Sequence, residues 1–175
     1  MISKKIDSVI REVSDFPKPG INFKDITTLL LDHNLSSDII DSFIDRLKSR
    51  KVDAIVGVES RGFLFGFLLA NKMEIPFVPI RKAGKLPGET LKYKYDLEYG
   101  SSEVEIHTSD IKKGWNILIH DDLLATGGTA CAAAELINQL DANVAGFTFL
   151  VSLDFLNGKE MLKKYSDNII SLKDY

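Results

Sequence analysis

The sequence predicts an α/β fold: a mostly parallel central sheet flanked by helices on both faces. Two observations carry that expectation. Apolar runs of strand length alternate along the chain with segments whose apolar residues recur at helical spacing. An apolar run ending in two acids, Trp115 to Asp122, then leads through a turn of small residues into an alanine-rich stretch, a strand–turn–helix unit. At 175 residues, 45% hydrophobic and 27% charged, the chain suits one globular domain, residues 1–175, with a sizeable core.

Each element has its own signal. Ile6, Val9, Ile10 and Val13 predict an N-terminal helix, which Pro17, Pro19 and Gly20 end. Ile39, Ile40, Phe43, Ile44 and Leu47 predict a second helix, with Ser36 or Ser37 as its cap. Ala54 to Val58 reads as a buried strand, Gly62 to Met73 as a helix and Phe77 to Ile80 as the next strand. Alternation around Val104 and Ile106 marks a half-exposed strand, with Lys92 to Leu97 as its hairpin partner. Trp115 to His120 is a central strand, Thr129 to Leu140 a helix, Val144 to Leu153 a strand and Ile169 to Leu172 a short last one. Parallel sheets place ligands beyond the carboxyl ends of their strands. That rule gathers Glu59 to Gly62, Arg81 to Lys82 and Asp121 to Thr129 at one edge.

Composition excludes several classes. A net charge of −3 with scattered basic residues argues against nucleic-acid or membrane binding. The start, MISKKIDSVIREV, reads as an amphipathic helix rather than a signal peptide, and no run approaches the ~20 apolar residues of a membrane span, so the cytoplasm is expected. A single cysteine, Cys131, forms no internal disulfide and reads as a packed small side chain. His33, His107 and His120 lack the spacing of a zinc site.

The chemistry concentrates in WNILIHDDLLATGGTA, from Trp115 to Ala130. A glycine turn feeding a helix N-terminus points N–H groups and the positive end of the helix dipole at an anion. Carboxylates before it accept hydrogen bonds from sugar hydroxyls. Glycine turns also serve as packing devices, and paired acids as caps. Neither a P-loop nor a dinucleotide fingerprint occurs.

These residues resemble the phosphoribosyl pyrophosphate signature of the type I phosphoribosyltransferases, in the form of the adenine-using members. The resemblance extends through FPKPGINFKDIT, ESRGFLFG, PIRKAGKLPGET and LEYG, in the family's order and over most of the chain. It implies transfer of ribose 5-phosphate from phosphoribosyl pyrophosphate to adenine, giving AMP and pyrophosphate. It also implies Mg2+ held mainly through the substrate, a homodimer with residues near Arg81 approaching the neighbouring site, and a flexible hairpin lid. Residues 1 to about 35 are expected to contribute to a hood over the base.

The resemblance assigns roles residue by residue. Asp121, Asp122, Ala125, Thr126, Gly127, Gly128 and Thr129 are expected at the ribose 5-phosphate. Ser60, Arg61, Arg81, Lys82 and Lys85 face the pyrophosphate. Asn22, Phe23, Arg61 and Leu156 are expected around adenine. Relatives that use 6-oxopurines carry an aspartate where this chain has Ala125, so Glu98, with Tyr99 beside it in the lid, becomes the catalytic acid–base candidate alongside Arg61. One departure stands out: the family usually has an aliphatic residue where His120 precedes the acids. A buried, neutral, hydrogen-bonding role ranks first for it, ahead of a pH-sensitive one near the ribose. Two alternatives accompany the enzyme. One is a non-catalytic phosphoribosyl pyrophosphate-sensing regulator, which would want a basic DNA-binding domain. The other is a same-fold transferase acting on another base, against which Ala125 and FPKPGINFKDIT argue.

Overall fold

A computed structural model of the chain describes residues 1–16, 18–20, 22–96 and 100–175. Its elements are α1 (Ile2–Val9), β1 (Arg11–Ser14), β2 (Asn22–Asp25), α2 (His33–Leu47), β3 (Ala54–Val58), α3 (Gly62–Lys72), β4 (Phe77–Lys82), β5 (Thr90–Asp96), β6 (Ser101–His107), β7 (Asn116–Leu124), α4 (Gly128–Gln139), β8 (Asn143–Ser152), α5 (Gly158–Leu162) and β9 (Ile169–Asp174). Seven strands form the main sheet in the order β5-β6-β4-β3-β7-β8-β9. The five from β4 to β9 run parallel, while β6 pairs antiparallel with both β4 and β5. The expected α/β class is therefore found, with an antiparallel hairpin at one edge.

Alternation along the central strands sorts the core into two layers. Ile55 and Leu118 face one side, where they pack with Phe43 of α2 and Phe65 and Leu69 of α3. Val56 and Ile119 face the other, against Ala133 and Ile137 of α4. Burying side chains of this size contributes ~1.5–3 kcal/mol each. Strand β3 is buried along its whole length, as its run of β-branched residues requires between two parallel neighbours. Gly57 in it admits the Phe77 ring: a Cβ there would stand 2.5 Å from two ring carbons.

Several boundaries differ from expectation, each for a local reason. The N-terminal helix stops at Val9, because Arg11–Ser14 pairs antiparallel with Asn22–Asp25; Val13 thus sits opposite Phe23 in a two-stranded ribbon. The second helix is capped by Asp32, not Ser36 or Ser37. Its carboxylate accepts the Leu35 N–H at 3.0 Å, while the Ser36 hydroxyl donates to the Leu29 carbonyl. The central strand does not end before the acids. β7 continues through Asp121 and Asp122 to Leu124, held by parallel pairing with β8.

Candidate active site

The carboxyl ends of β3, β4 and β7 bring the predicted groups together. After β3 the chain turns through Glu59, Ser60 and Arg61, with a cis Glu59–Ser60 peptide, into α3. That helix sits directly on β7. A Cβ on Gly62 would lie 2.9 Å from Asp121 Oδ1 and 3.0 Å from the His120 carbonyl oxygen, and one on Gly66 would lie 3.2 Å from His120 Cδ2. The close seat lets Arg61 reach across the strand ends: its Nε stands 2.6 Å from Asp122 Oδ2. The Asp122 carboxylate is nearly buried, and its Oδ2 has no aligned hydrogen bond. Asp121 Oδ1 accepts the Asp122 N–H at 2.9 Å. Burial, and then the adjacent Asp122 charge, push the Asp121 carboxyl well above the ordinary carboxylate range. The acid pair therefore favours a positively charged partner.

Beyond β7 the chain crosses Ala125 and Thr126 to Gly127, whose φ of 88° is left-handed. A Cβ there would also meet the Gly158 carbonyl at 3.0 Å, so conformation and space both call for glycine. No side chain caps α4, which leaves its first-turn N–H groups facing outward. Two adjoining clefts result. One is lined by Asp121, Leu123 to Ala130 and Phe149, the other by Val58 to Arg61, Asp121 to Leu123 and Thr129. Tyr95 of β5 reaches over this region, its hydroxyl 3.1 Å from Thr129 Oγ1.

Basic residues converge from β4. Arg81 Nε donates to Glu59 Oε2 at 3.2 Å, and the Lys82 N–H donates to the same oxygen at 2.8 Å. Burial opposes the Glu59 charge, but these donors outweigh it and hold its carboxyl below the ordinary value. Lys82 and Lys85 are exposed. The loop that carries Lys85 is fastened from beneath by Glu105, a carboxylate only 1% exposed. It accepts the Lys85 and Leu86 N–H groups at 2.8 Å each and the Thr90 hydroxyl at 3.1 Å. The sequence reading missed Glu105 and Tyr95. The alternation in LKYKYD places Tyr93 and Tyr95 on one face, a signal for the tyrosine; nothing local marks Glu105 as buried.

Near the predicted base site, the Arg61 guanidinium lies 5.3 Å from the centroid of the Phe23 ring. Phe16 meets that ring edge-on at 5.2 Å. Asn22 Nδ2 donates to Glu12 Oε2 at 3.0 Å. Leu156 stands partly exposed on the 3-10 turn Asp154–Leu156. Glu98 and Tyr99 lie outside the described residues. His120 is fully buried, its Nδ1 3.0 Å from Thr148 Oγ1 and its ring edge-on to Phe43. Burial lowers its pKa from 6.5 to about 3, so the imidazole is neutral, as its place in the core requires. Among the described residues no cluster of three or more His, Cys, Asp or Glu side chains is gathered as for a metal, and no helix is long and apolar enough to cross a membrane.

Comparison with known proteins bears on this geometry. Residues 27–174 match the family described as the phosphoribosyl transferase domain. An adenine phosphoribosyltransferase of Alkaliphilus metalliredigens is 53% identical over 161 residues, covering 92% of this chain and 95% of the relative. The crystal structure of an adenine phosphoribosyltransferase from Thermoanaerobacter pseudethanolicus superposes with a TM-score of 0.95 at 46% identity, covering 100% of both chains. The adenine phosphoribosyltransferase of Saccharomyces cerevisiae, crystallised with an imino-altritol bisphosphate and adenine, gives a TM-score of 0.90 at 41% identity, over 98% of each chain.

Proposed function

This chain belongs to the phosphoribosyltransferase family, and from that premise we propose how its clefts serve the reaction. The protein is a pentosyltransferase of purine salvage: it transfers the 5-phosphoribosyl group of phosphoribosyl pyrophosphate to adenine, giving AMP and pyrophosphate. The observation that carries the site assignment is the meeting of Arg61 with Asp122 and Phe23, beside the uncapped N-terminus of α4.

The 5'-phosphate occupies the loop from Ala125 to Thr129. There the Gly127 and Gly128 backbone admits it closely, Thr126 and Thr129 donate hydroxyl hydrogen bonds, and the α4 dipole opposes its charge. Asp121 and Asp122 accept from the ribose hydroxyls. As pyrophosphate leaves, positive charge builds on the sugar carbon, as in glycoside chemistry. The nearly buried Asp122 carboxylate, a short distance away, stabilises that charge more in the transition state than in the ground state. Ser60, Arg61, Arg81, Lys82 and Lys85 receive the pyrophosphate, and the exposed lysines neutralise it where it departs. Asn22, Phe23 and Leu156 border adenine, within a hood built from residues 1 to about 35. Glu98 takes the purine proton that Ala125 cannot accept, with Tyr99 beside it in sequence.

Mg2+ fits this donor set. Asp122 Oδ2 is a buried carboxylate oxygen without an aligned hydrogen bond, Asp121 lies beside it, and an ion that binds through few protein oxygens and mostly through phosphates wants no larger cage. When bound it neutralises charge on the leaving group. A homodimer is supported by the outer face of α3, where Leu64, Phe67 and Leu68 are 41%, 56% and 42% exposed. The cytoplasm suits a chain with one half-buried cysteine.

The decisive assay mixes the protein with phosphoribosyl pyrophosphate, Mg2+ and each purine base or orotate in turn. AMP from adenine, with no nucleotide from the other bases, is expected; turnover with none of them would overturn the enzymatic reading. The Glu98→Gln variant is expected to turn over at least ~10-fold more slowly, the scale of lost acid–base help. Unchanged turnover would remove Glu98 from the chemistry.

A further inference from the structure

We propose that Tyr95 belongs to the phosphate cradle, as a positioning residue that aims the Thr129 hydroxyl at the 5'-phosphate. The inference rests on the reading of the Ala125–Thr129 loop given above. Along β5 the side chains alternate, with Tyr93 and Tyr95 half-buried and Lys92, Lys94 and Asp96 exposed. Tyr95 therefore turns inward at the point where β5 passes over the start of α4. Its ring carbons lie 3.7 and 3.8 Å from where a Cβ on Gly128 would stand, and its hydroxyl is 3.1 Å from Thr129 Oγ1. Thr129 in turn borders both clefts.

The hydrogen-bond inventory of the pair sets what happens when an anion arrives. A threonine hydroxyl has one proton to donate and lone pairs to accept with. In the free protein either oxygen of the Tyr95–Thr129 pair can be the donor. A phosphate offers acceptors, so the Thr129 proton turns to it and Thr129 Oγ1 becomes an acceptor towards its neighbour. The Tyr95 phenol, 3.1 Å away, then becomes its donor. The chain from Tyr95 through Thr129 to phosphate then runs in one direction, and each bond polarises the next. Without the phenol, Thr129 Oγ1 must be satisfied by water at the moment its proton is needed elsewhere.

The test is a double-mutant cycle on AMP affinity, read by calorimetry on the wild type, Tyr95→Phe, Thr129→Val and the double variant. Both substitutions keep the shape of the side chain: Tyr95→Phe removes a hydroxyl, and Thr129→Val puts a methyl group in the place of one. Tyr95→Phe is expected to weaken AMP about fivefold, the worth of one net hydrogen bond. Thr129→Val is expected to weaken it at least as much, and the double variant no further than Thr129→Val alone. If Thr129→Val weakens AMP while Tyr95→Phe does not, or if the two losses multiply in the double variant, Tyr95 does not act through Thr129 and the proposal fails with the loop reading intact. If Thr129→Val leaves AMP affinity unchanged, the phosphate lies elsewhere and the loop reading fails as well.

Discussion

His120 directly precedes the acid pair of β7, yet its side chain belongs to the core. Its imidazole is enclosed by Phe43, Thr148 and the face of Gly66, and burial holds its pKa near 3. Unfolding releases it to about 6.5, so below that pH the unfolded chain binds a proton the folded chain refuses. Its contribution is whole above pH 6.5 and is lost as the pH falls toward 3, by ~1.4 kcal/mol per pH unit at the steepest. Urea titrations at pH 7, 6 and 5 should therefore show stability falling less steeply in His120→Val than in the wild type. Equal slopes in the two proteins would mean that the histidine is not refused its proton. Its buried, neutral role was the first-ranked expectation for a histidine at the end of an apolar strand, but the sequence left the role open, because the groups that enclose it come from α2 and β8. Glu105 was not legible, because its partners lie in a loop some twenty residues earlier and only the fold brings them beneath it.

At the scale of elements, the contact between α3 and β7 decides whether the site is assembled. Gly62, like Gly66 one turn on, lets α3 sit against the acid strand without a side chain between them. Gly62→Ala would drive a methyl to within 2.9 Å of Asp121 Oδ1 and 3.1 Å of Asp121 Cα, and backbone cannot yield cheaply there. A loss of ~1–3 kcal/mol is expected in denaturant titrations, together with a fall in kcat/KM as Arg61 withdraws from Asp122. A variant with wild-type stability and activity would refute the close seat. The long apolar runs, β3, α3, α4 and β8, were legible because a single period governs each. The β1–β2 ribbon was not: four residues on each side carry no clean alternation, and the pairing is fixed by contacts across the ribbon, such as the Lys24–Glu12 ion pair and the 3.6 Å approach of Arg11 to Asp25. The extent of β7 was hidden too, since two aspartates read as a strand's end unless a neighbouring strand continues alongside them.

For the whole molecule, the apolar outer face of α3 is the feature that a lone copy leaves uncovered. On the dimer proposed above, Phe67→Lys is expected to shift sedimentation from a two-chain to a one-chain mass and to lower urea stability, because it loses both the partner chain and the edge-on contact with Phe77. A variant that sediments as the wild type does would refute this face as a contact between two copies. The strand order has a different consequence. Asp121, Asp122 and the turn bearing Arg61 hang from β7 and β3, interior strands with neighbours on both sides, whereas Tyr95 hangs from β5 at the margin of the sheet. Amides of Ile117–Ile119 should exchange with deuterium only when the entire protein melts, and those along β5 far sooner. Admission and release of ligand can then proceed at the rim by brief fraying, many times over, while the charged groups in the middle keep their spacing between one visit and the next.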